Sequence, residues 1–135
     1  MTDFKTTTIT RMFMDRATVD AGKVALRYKY LGIWRDVTWT DYLDRARAVA
    51  LGLRALGVAP GDRVAVIGEN RPEWLYSDMG TMCAAAASVG VYTTSAAAQV
   101  EYVVGHSGAK VFIVEDEEQL DKALFFRERT PGLKK

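Results

Sequence analysis

Arg63-Val64-Ala65-Val66-Ile67-Gly68-Glu69-Asn70-Arg71-Pro72 is the stretch whose reading decides the fold. Val64 to Ile67 are apolar without alternation, which marks a strand covered on both faces. Gly68 to Arg71 turn the chain, and Pro72 suits the first position of a helix, where its missing N–H is no loss. Leu75, Met79, Met82, Cys83 and Ala86 form the predicted buried stripe, with Gly80 and the alanines allowing close approach to the sheet. Residues 88–92 predict a second buried strand and Thr93-Thr94-Ser95 the next turn, with Ser95 capping a helix over 97–104 that residues 105–108 close. Residues 110–114 predict a third strand. Glu115 to Glu118 then open a helix that includes Leu120 and Leu124 and ends at Pro131-Gly132. Parallel strands joined by helices need right-handed crossovers, so the three strands are expected in one sheet. The expected class is α/β: a partial open parallel sheet with helices on both faces, preceded by a β-hairpin.

The hairpin is read from residues 25–39. Leu26, Tyr28 and Tyr30 alternate with Arg27 and Lys29, Leu31-Gly32 supplies the turn, and Ile33, Arg35, Val37 and Trp39 resume a period of two. Before it, residues 10–19 predict a short helix with Met12, Phe13 and Val19 as apolar contacts. After it, Thr40 is the expected cap of a helix whose stripe is Leu43, Ala46, Ala50, Leu53 and Leu56. Asp41 and Asp44 complement the dipole, and Gly57 ends the helix in the left-handed region. Hairpin and helix thus occupy 25–57, and a three-stranded βαβαβ unit occupies 63–114. Ligands of such sheets bind beyond the carboxyl ends of the strands, here Gly68 to Arg71, Tyr92 to Ser95, and Glu115-Asp116.

Composition narrows the function. The 135 residues carry 18 basic and 17 acidic side chains, so no net field draws the chain to nucleic acid or anionic lipid. One cysteine, Cys83, builds neither a disulfide framework nor a cysteine zinc site. No run is long and apolar enough to span a bilayer and the first residues lack a secretory core, so a cytoplasmic protein is the default expectation.

Few residues offer chemistry. Gly68 invites a dinucleotide reading, but a pyrophosphate cradle wants Gly-x-Gly-x-x-Gly, and Glu69 would repel phosphate. No Gly-x-x-x-x-Gly-Lys-Ser/Thr loop occurs. His106 lacks the partners of a metal or triad site and sits at a predicted helix C-terminus. Cys83 falls on a buried stripe, as a small core residue does. Glu115-Asp116-Glu117-Glu118 opens a helix, and its side chains are expected to point apart. Trp34, Trp39 and Trp74 read as core and subunit-contact residues. Thr93-Thr94-Ser95 is the best ligand candidate, because it offers hydroxyls and helix N-terminal amides at a strand end.

At this point a family resemblance can be placed on residues. Residues 61–75, Gly61-Asp62-Arg63-Val64-Ala65-Val66-Ile67-Gly68-Glu69-Asn70-Arg71-Pro72-Glu73-Trp74-Leu75, resemble the opening of the adenylate-forming enzymes, most closely the AMP-dependent long-chain fatty acid–CoA ligases. Ser88-Val89-Gly90-Val91-Tyr92-Thr93-Thr94-Ser95 and His106-Ser107-Gly108-Ala109-Lys110 support the resemblance, as do Trp39-Thr40-Asp41-Tyr42 and Glu117-Gln119-Leu120-Asp121-Lys122. The resemblance implies that residues 1–135 are the N-terminal segment of the large AMP-binding domain, itself incomplete here. It implies an enzyme that uses ATP and Mg to make an acyl-adenylate and then passes the acyl group to CoA. Partners by implication are the remainder of the synthetase chain, fatty acid, ATP and CoA, with a homodimer possible.

The family's Thr-Ser-Gly-Thr-Thr-Gly-x-Pro-Lys-Gly loop has no counterpart in these 135 residues. No catalytic residue is therefore carried over, and the chain alone is expected to be inactive. Tyr92, Thr93 and Thr94 are implied to lie on the CoA side. Thr93 and Ala96 stand where the family usually has proline, which is expected to loosen that turn. Residues 131–135 fall where a further strand begins in the family, so an open sheet edge is expected, with Val111, Ile113, Phe125 and Phe126 short of cover and the isolated chain marginal or self-associating. The alternative expectation is a free-standing α/β module that binds a nucleotide or protein without catalysis.

Overall fold

The computed structural model describes residues 7–135. Its elements are α1 (Ile9–Val19), β1 (Val24–Tyr30), β2 (Ile33–Thr38), α2 (Trp39–Ala55), β3 (Arg63–Ile67), α3 (Pro72–Cys83), β4 (Ala87–Val91), α4 (Ala97–Ser107), β5 (Val111–Val114) and α5 (Glu117–Phe126), then a 3-10 turn at Arg127–Arg129. β1 and β2 form an antiparallel hairpin, and the other three strands form a parallel sheet in the order β4-β3-β5. Val64 lies beside Ser88 and Val111, and Ile67 beside Val91 and Val114.

The central place of β3 explains its unbroken apolar run. Val64 and Val66 pack on one face against Leu53, Val58 and Ala86. Ala65 and Ile67 pack on the other against Val100, Val104, Phe112 and Phe126. Each larger side chain buried this way contributes about 1.5–3 kcal/mol relative to exposure. A third cluster of Phe13, Val37, Tyr42 and Ala46 ties α1 and the hairpin to α2. There the Phe13 ring meets Tyr42 edge-on at 4.8 Å, and the Tyr42 hydroxyl donates to the Leu75 carbonyl at 3.2 Å. Burial, with a smaller contribution from the Asp78 charge, pushes the Tyr42 phenol up to about 12.

Several local expectations need correction. In α1 the buried residues are Phe13 and Ala17, one turn apart, while Met12 and Val19 face solvent. The cap of α2 is Thr38, not Thr40. Thr38 Oγ1 accepts from the Asp41 N–H at 3.1 Å, and the Asp41 carboxylate accepts from the Thr38 N–H at 3.1 Å. The helix therefore begins at Trp39, and the Thr40 hydroxyl donates to the Ala21 carbonyl instead. The α2 stripe is Tyr42, Ala46, Val49 and Leu53, and Leu56 is exposed. Gly57 takes the left-handed conformation, φ 84°, as expected.

Gly80 permits close approach to α2 rather than to the sheet: a Cβ there would come within 2.6 Å of Val49 Cβ and 2.7 Å of the Ala46 carbonyl oxygen. Its buried neighbours Ser77 and Thr81 donate back to the carbonyls four residues earlier, at 2.8 and 2.7 Å. The expected Leu75, Met79 and Cys83 pack half-buried against the hairpin cluster. Ala96, not Ser95, stands at the start of α4, its N–H donating to Gln99 Oε1 at 3.0 Å. α5 buries Gln119 and Phe126 and exposes Leu120 and Leu124. Phe126 and Val111 are covered, whereas Phe125 is exposed. The β5 edge is also engaged at its start: the Lys134 N–H donates to the Lys110 carbonyl at 2.8 Å, and the Phe112 N–H to the Lys135 carbonyl at 3.0 Å.

Candidate functional site

The crevice follows from the winding. The β3–β4 connection is α3, which packs on the face of Val64 and Val66. The β4–β5 connection is α4, which packs on the opposite face. The turns after β3 and β4 thus leave the sheet in opposite directions, and a crevice opens between them. It is a cleft of about 460 Å³ lined by Gly68, Glu69, Asn70, Trp74, Gly90 and Thr93. A second cleft of about 350 Å³ adjoins it at the ends of β3 and β5, with Glu115 in its wall.

Two glycines shape the floor. A Cβ at Gly90 would touch the Trp74 ring at 3.5 Å, so the indole packs against the strand at that glycine. A Cβ at Gly68 would come 3.0 Å from Glu115 Oε2, so glycine leaves room for that carboxylate.

A polar chain joins the three strand ends. Glu115 accepts from the Glu69 backbone N–H and, at 2.7 Å, from Arg71. Thr93 Oγ1 donates to Glu69 Oε1 at 2.7 Å. Lys122 Nζ, on α5, donates to the Thr93 carbonyl at 2.6 Å and to Gln119 Oε1 at 3.0 Å. The Ser95 N–H closes the turn on the Tyr92 carbonyl at 3.1 Å. Without proline at either position, the turn is held by these bonds.

The structure places the sequence-derived candidates together at this turn. Thr93 is half-buried in the polar chain, Tyr92 is exposed in the wall of the first cleft, and Thr94 is exposed. Ser95 is half-buried and caps nothing. Sequence reading missed Glu69 as a partner of Thr93, and it named Lys122 only within a family motif, not as a partner of this turn. It also treated residues 115–118 as one run. Glu115 turns into the cleft, the Asp116 side chain accepts from the Gln119 N–H at 3.0 Å as the α5 cap, and Glu118 pairs with Lys122 at 3.1 Å. Trp34 is an exposed hairpin residue rather than a core one. His106 is exposed and stacks on Tyr102 at 5.4 Å, and burial pushes the Cys83 thiol up.

Glu69 in the first cleft, and Glu69, Glu73 and Glu115 against the single cation Arg71 in the second, make both poor seats for a polyphosphate, which wants donors and cations. Among the described residues no three His, Cys, Asp or Glu side chains converge as a metal site. The residues present therefore do not fit ATP or Mg. The exposed Tyr92 ring in the wall of the first cleft offers a neutral aromatic surface to a ligand.

The fold and the strand-end crevice agree with a match to the AMP-binding enzyme family over residues 13–133. The chain belongs to the AMP-binding enzyme family. It is 33% identical over 127 residues to the long-chain-fatty-acid–CoA ligase ACSBG1 of Homo sapiens, covering 94% of this chain and 18% of that ligase. An uncharacterized protein of Mycobacterium tuberculosis is 40% identical over 111 residues, which are 82% of this chain and 62% of that protein. Among solved structures, the anthranilate CoA ligase AuaEII in complex with anthranoyl-AMP superposes with a TM-score of 0.84 at 27% identity, over 93% of this chain and 23% of that one. The chain thus spans less than a fifth of the length of the curated ligases it matches first. No helix among the described residues is long and apolar enough to cross a membrane.

Proposed function

We propose that residues 1–135 act as the N-terminal segment of the large domain of a long-chain fatty acid–CoA ligase. The intact enzyme would activate a fatty acid with ATP to an acyl-adenylate and transfer the acyl group to CoA in the cytoplasm. The observation that carries this reading is the ordered similarity to such a ligase over 94% of the chain. This chain's part is scaffold: the β4-β3-β5 sheet sets the strand-end turns, and Lys122 and Glu69 hold the Tyr92–Ser95 turn in place. Tyr92, Thr93 and Thr94 are assigned to the CoA side, Thr93 by its backbone and Tyr92 and Thr94 by their exposed side chains. No residue here is assigned to ATP or Mg, so the chain alone carries no adenylation. Palmitate-dependent ATP–pyrophosphate exchange by the purified chain tests this: the expected rate is zero above blank, and measurable exchange would overturn it.

A second reading, a free-standing α/β module, has one observation in its favour, the Mycobacterium tuberculosis relative of which the chain covers 62%. It requires saturable micromolar binding of CoA or adenine nucleotide by the isolated chain, lost in Thr94→Trp.

A further inference from the structure

The β1–β2 hairpin is covered at its base and bare at its tip. Leu26, Tyr28 and Val37 pack into the cluster around Phe13 and Tyr42. Beyond them Tyr30 is 54% exposed, Leu31 84%, Ile33 58% and Trp34 63%. Four large apolar or aromatic side chains therefore stand in solvent around one glycine.

The turn itself is unusual. Leu31 and Gly32 both take positive φ, 48° and 81°. Such two-residue hairpin turns favour Asn-Gly or Asp-Gly, because the first position also needs φ above zero. Leucine is disfavoured there and gains no burial in exchange, so folding stability does not account for it.

Charge gives the third observation. No carboxylate occurs from Ala25 to Arg35. Arg27 is neutralised by Asp36 at 2.5 and 3.1 Å, but Lys29 and Arg35 form no ion pair among the described residues. They sit on opposite strands and opposite faces of the ribbon: Lys29 is level with Trp34, and Arg35, level with Tyr28, is one pair further from the turn. Glu73, across the groove beneath the hairpin, is the one acid lining that groove.

We propose that this hairpin tip docks on an anionic lipid surface. Leu31 and Ile33 would enter the acyl boundary, Tyr30 and Trp34 would sit at headgroup level, and Lys29 and Arg35 would meet lipid phosphates. The complement is an apolar wedge with a cationic collar against an apolar layer with an anionic face. The inference concerns a surface other than the strand-end turns.

Co-sedimentation of the 135-residue chain with sucrose-loaded vesicles tests it, comparing pure phosphatidylcholine with three parts phosphatidylcholine to one of phosphatidylglycerol. Binding to the mixed vesicles is expected to be roughly 25-fold tighter, about fivefold for each collar cation, and weaker in high salt. Lys29→Glu with Arg35→Glu should abolish that preference. Leu31→Asn should weaken binding roughly tenfold while holding or raising the denaturation midpoint, which separates docking from folding. Absence of vesicle binding would overturn the proposal. So would binding unchanged by these substitutions, or a hairpin-dependent dimer in sedimentation equilibrium without vesicle binding.

Discussion

Gly80 and Gly52 lie in the interiors of adjacent helices, and the same substitution should act on them with opposite sign. Alanine is about 1 kcal/mol better than glycine in a helix interior. At Gly52 an added Cβ meets nothing within 4 Å. Gly52→Ala should therefore stabilise by about 0.5–1 kcal/mol. At Gly80 the same methyl group would stand 2.6 Å from Val49 Cβ and 2.7 Å from both Val49 Cγ1 and the Ala46 carbonyl oxygen. Two of these three atoms are fixed by the α2 backbone, so no rotamer change relieves the contact. To reach ordinary contact, α2 and α3 must separate by nearly an ångström. Overpacking of this kind costs about 1–3 kcal/mol, and the gap would loosen Ser77 and Thr81 as well. Even after the propensity gain, Gly80→Ala should destabilise by up to about 2 kcal/mol, and Gly80→Val by more. Urea titration followed by circular dichroism reads both variants against the parent. In melting temperature the two should lie on opposite sides of it, at roughly 2–8 °C per kcal/mol. If Gly80→Ala stabilised as Gly52→Ala does, the close α2–α3 packing would be refuted.

The other predictions are smaller. Thr38→Ala should cost about 1 kcal/mol by opening the capping box, and Thr40→Ala less, with urea midpoints giving the order. Ala85 sits at φ 59°, so Ala85→Gly should stabilise by up to about 1 kcal/mol, read the same way. The Lys110 ammonium and the Ala59 N–H hold the Asp62 carboxyl below the usual carboxylate range, Arg27 does the same for Asp36, and Arg129 for Glu101. Their contribution is complete above that range and is lost as pH falls through the lowered values. The midpoint should therefore drop on acidification and the drop should shrink in Asp62→Asn. Lys122→Met should release the Thr93 carbonyl, and faster amide exchange confined to residues 92–95 would be the sign.

What the sequence made legible follows from how local each signal is. β3 was readable because a strand covered on both faces writes itself as an unbroken apolar run from Val64 to Ile67. Gly57 was readable because a left-handed helix end has few tenants. The α2 cap was misplaced at Thr40 because strand and helix abut without a loop, so that the last strand residue, Thr38, is itself the cap and Asp41 completes its box. The α2 stripe was shifted because Leu56 was weighted for hydrophobicity but is exposed, whereas Tyr42 and Val49 join Leu43, Ala46 and Leu53 in the contacts. The polar chain at the strand ends left no local trace. Glu69 and Glu115 are 46 residues apart, and Lys122 and Thr93 are 29 apart, so only the parallel register brings them together. The strand ends themselves were expected as the functional surface, and the candidates Tyr92, Thr93 and Thr94 do stand there. The hairpin pattern showed the strands but not that the alternation outruns the core beneath it.

This chain is proposed to supply the opening scaffold of a long-chain fatty acid–CoA ligase. Replacing the matched 127 residues of the human ligase with those of this chain tests it most directly. A folded chimera that converts palmitate, ATP and CoA to palmitoyl-CoA is the predicted result, with Thr94→Trp in that chimera raising KM for CoA more than it lowers kcat. A folded, monodisperse chimera that forms neither adenylate nor thioester would contradict the account.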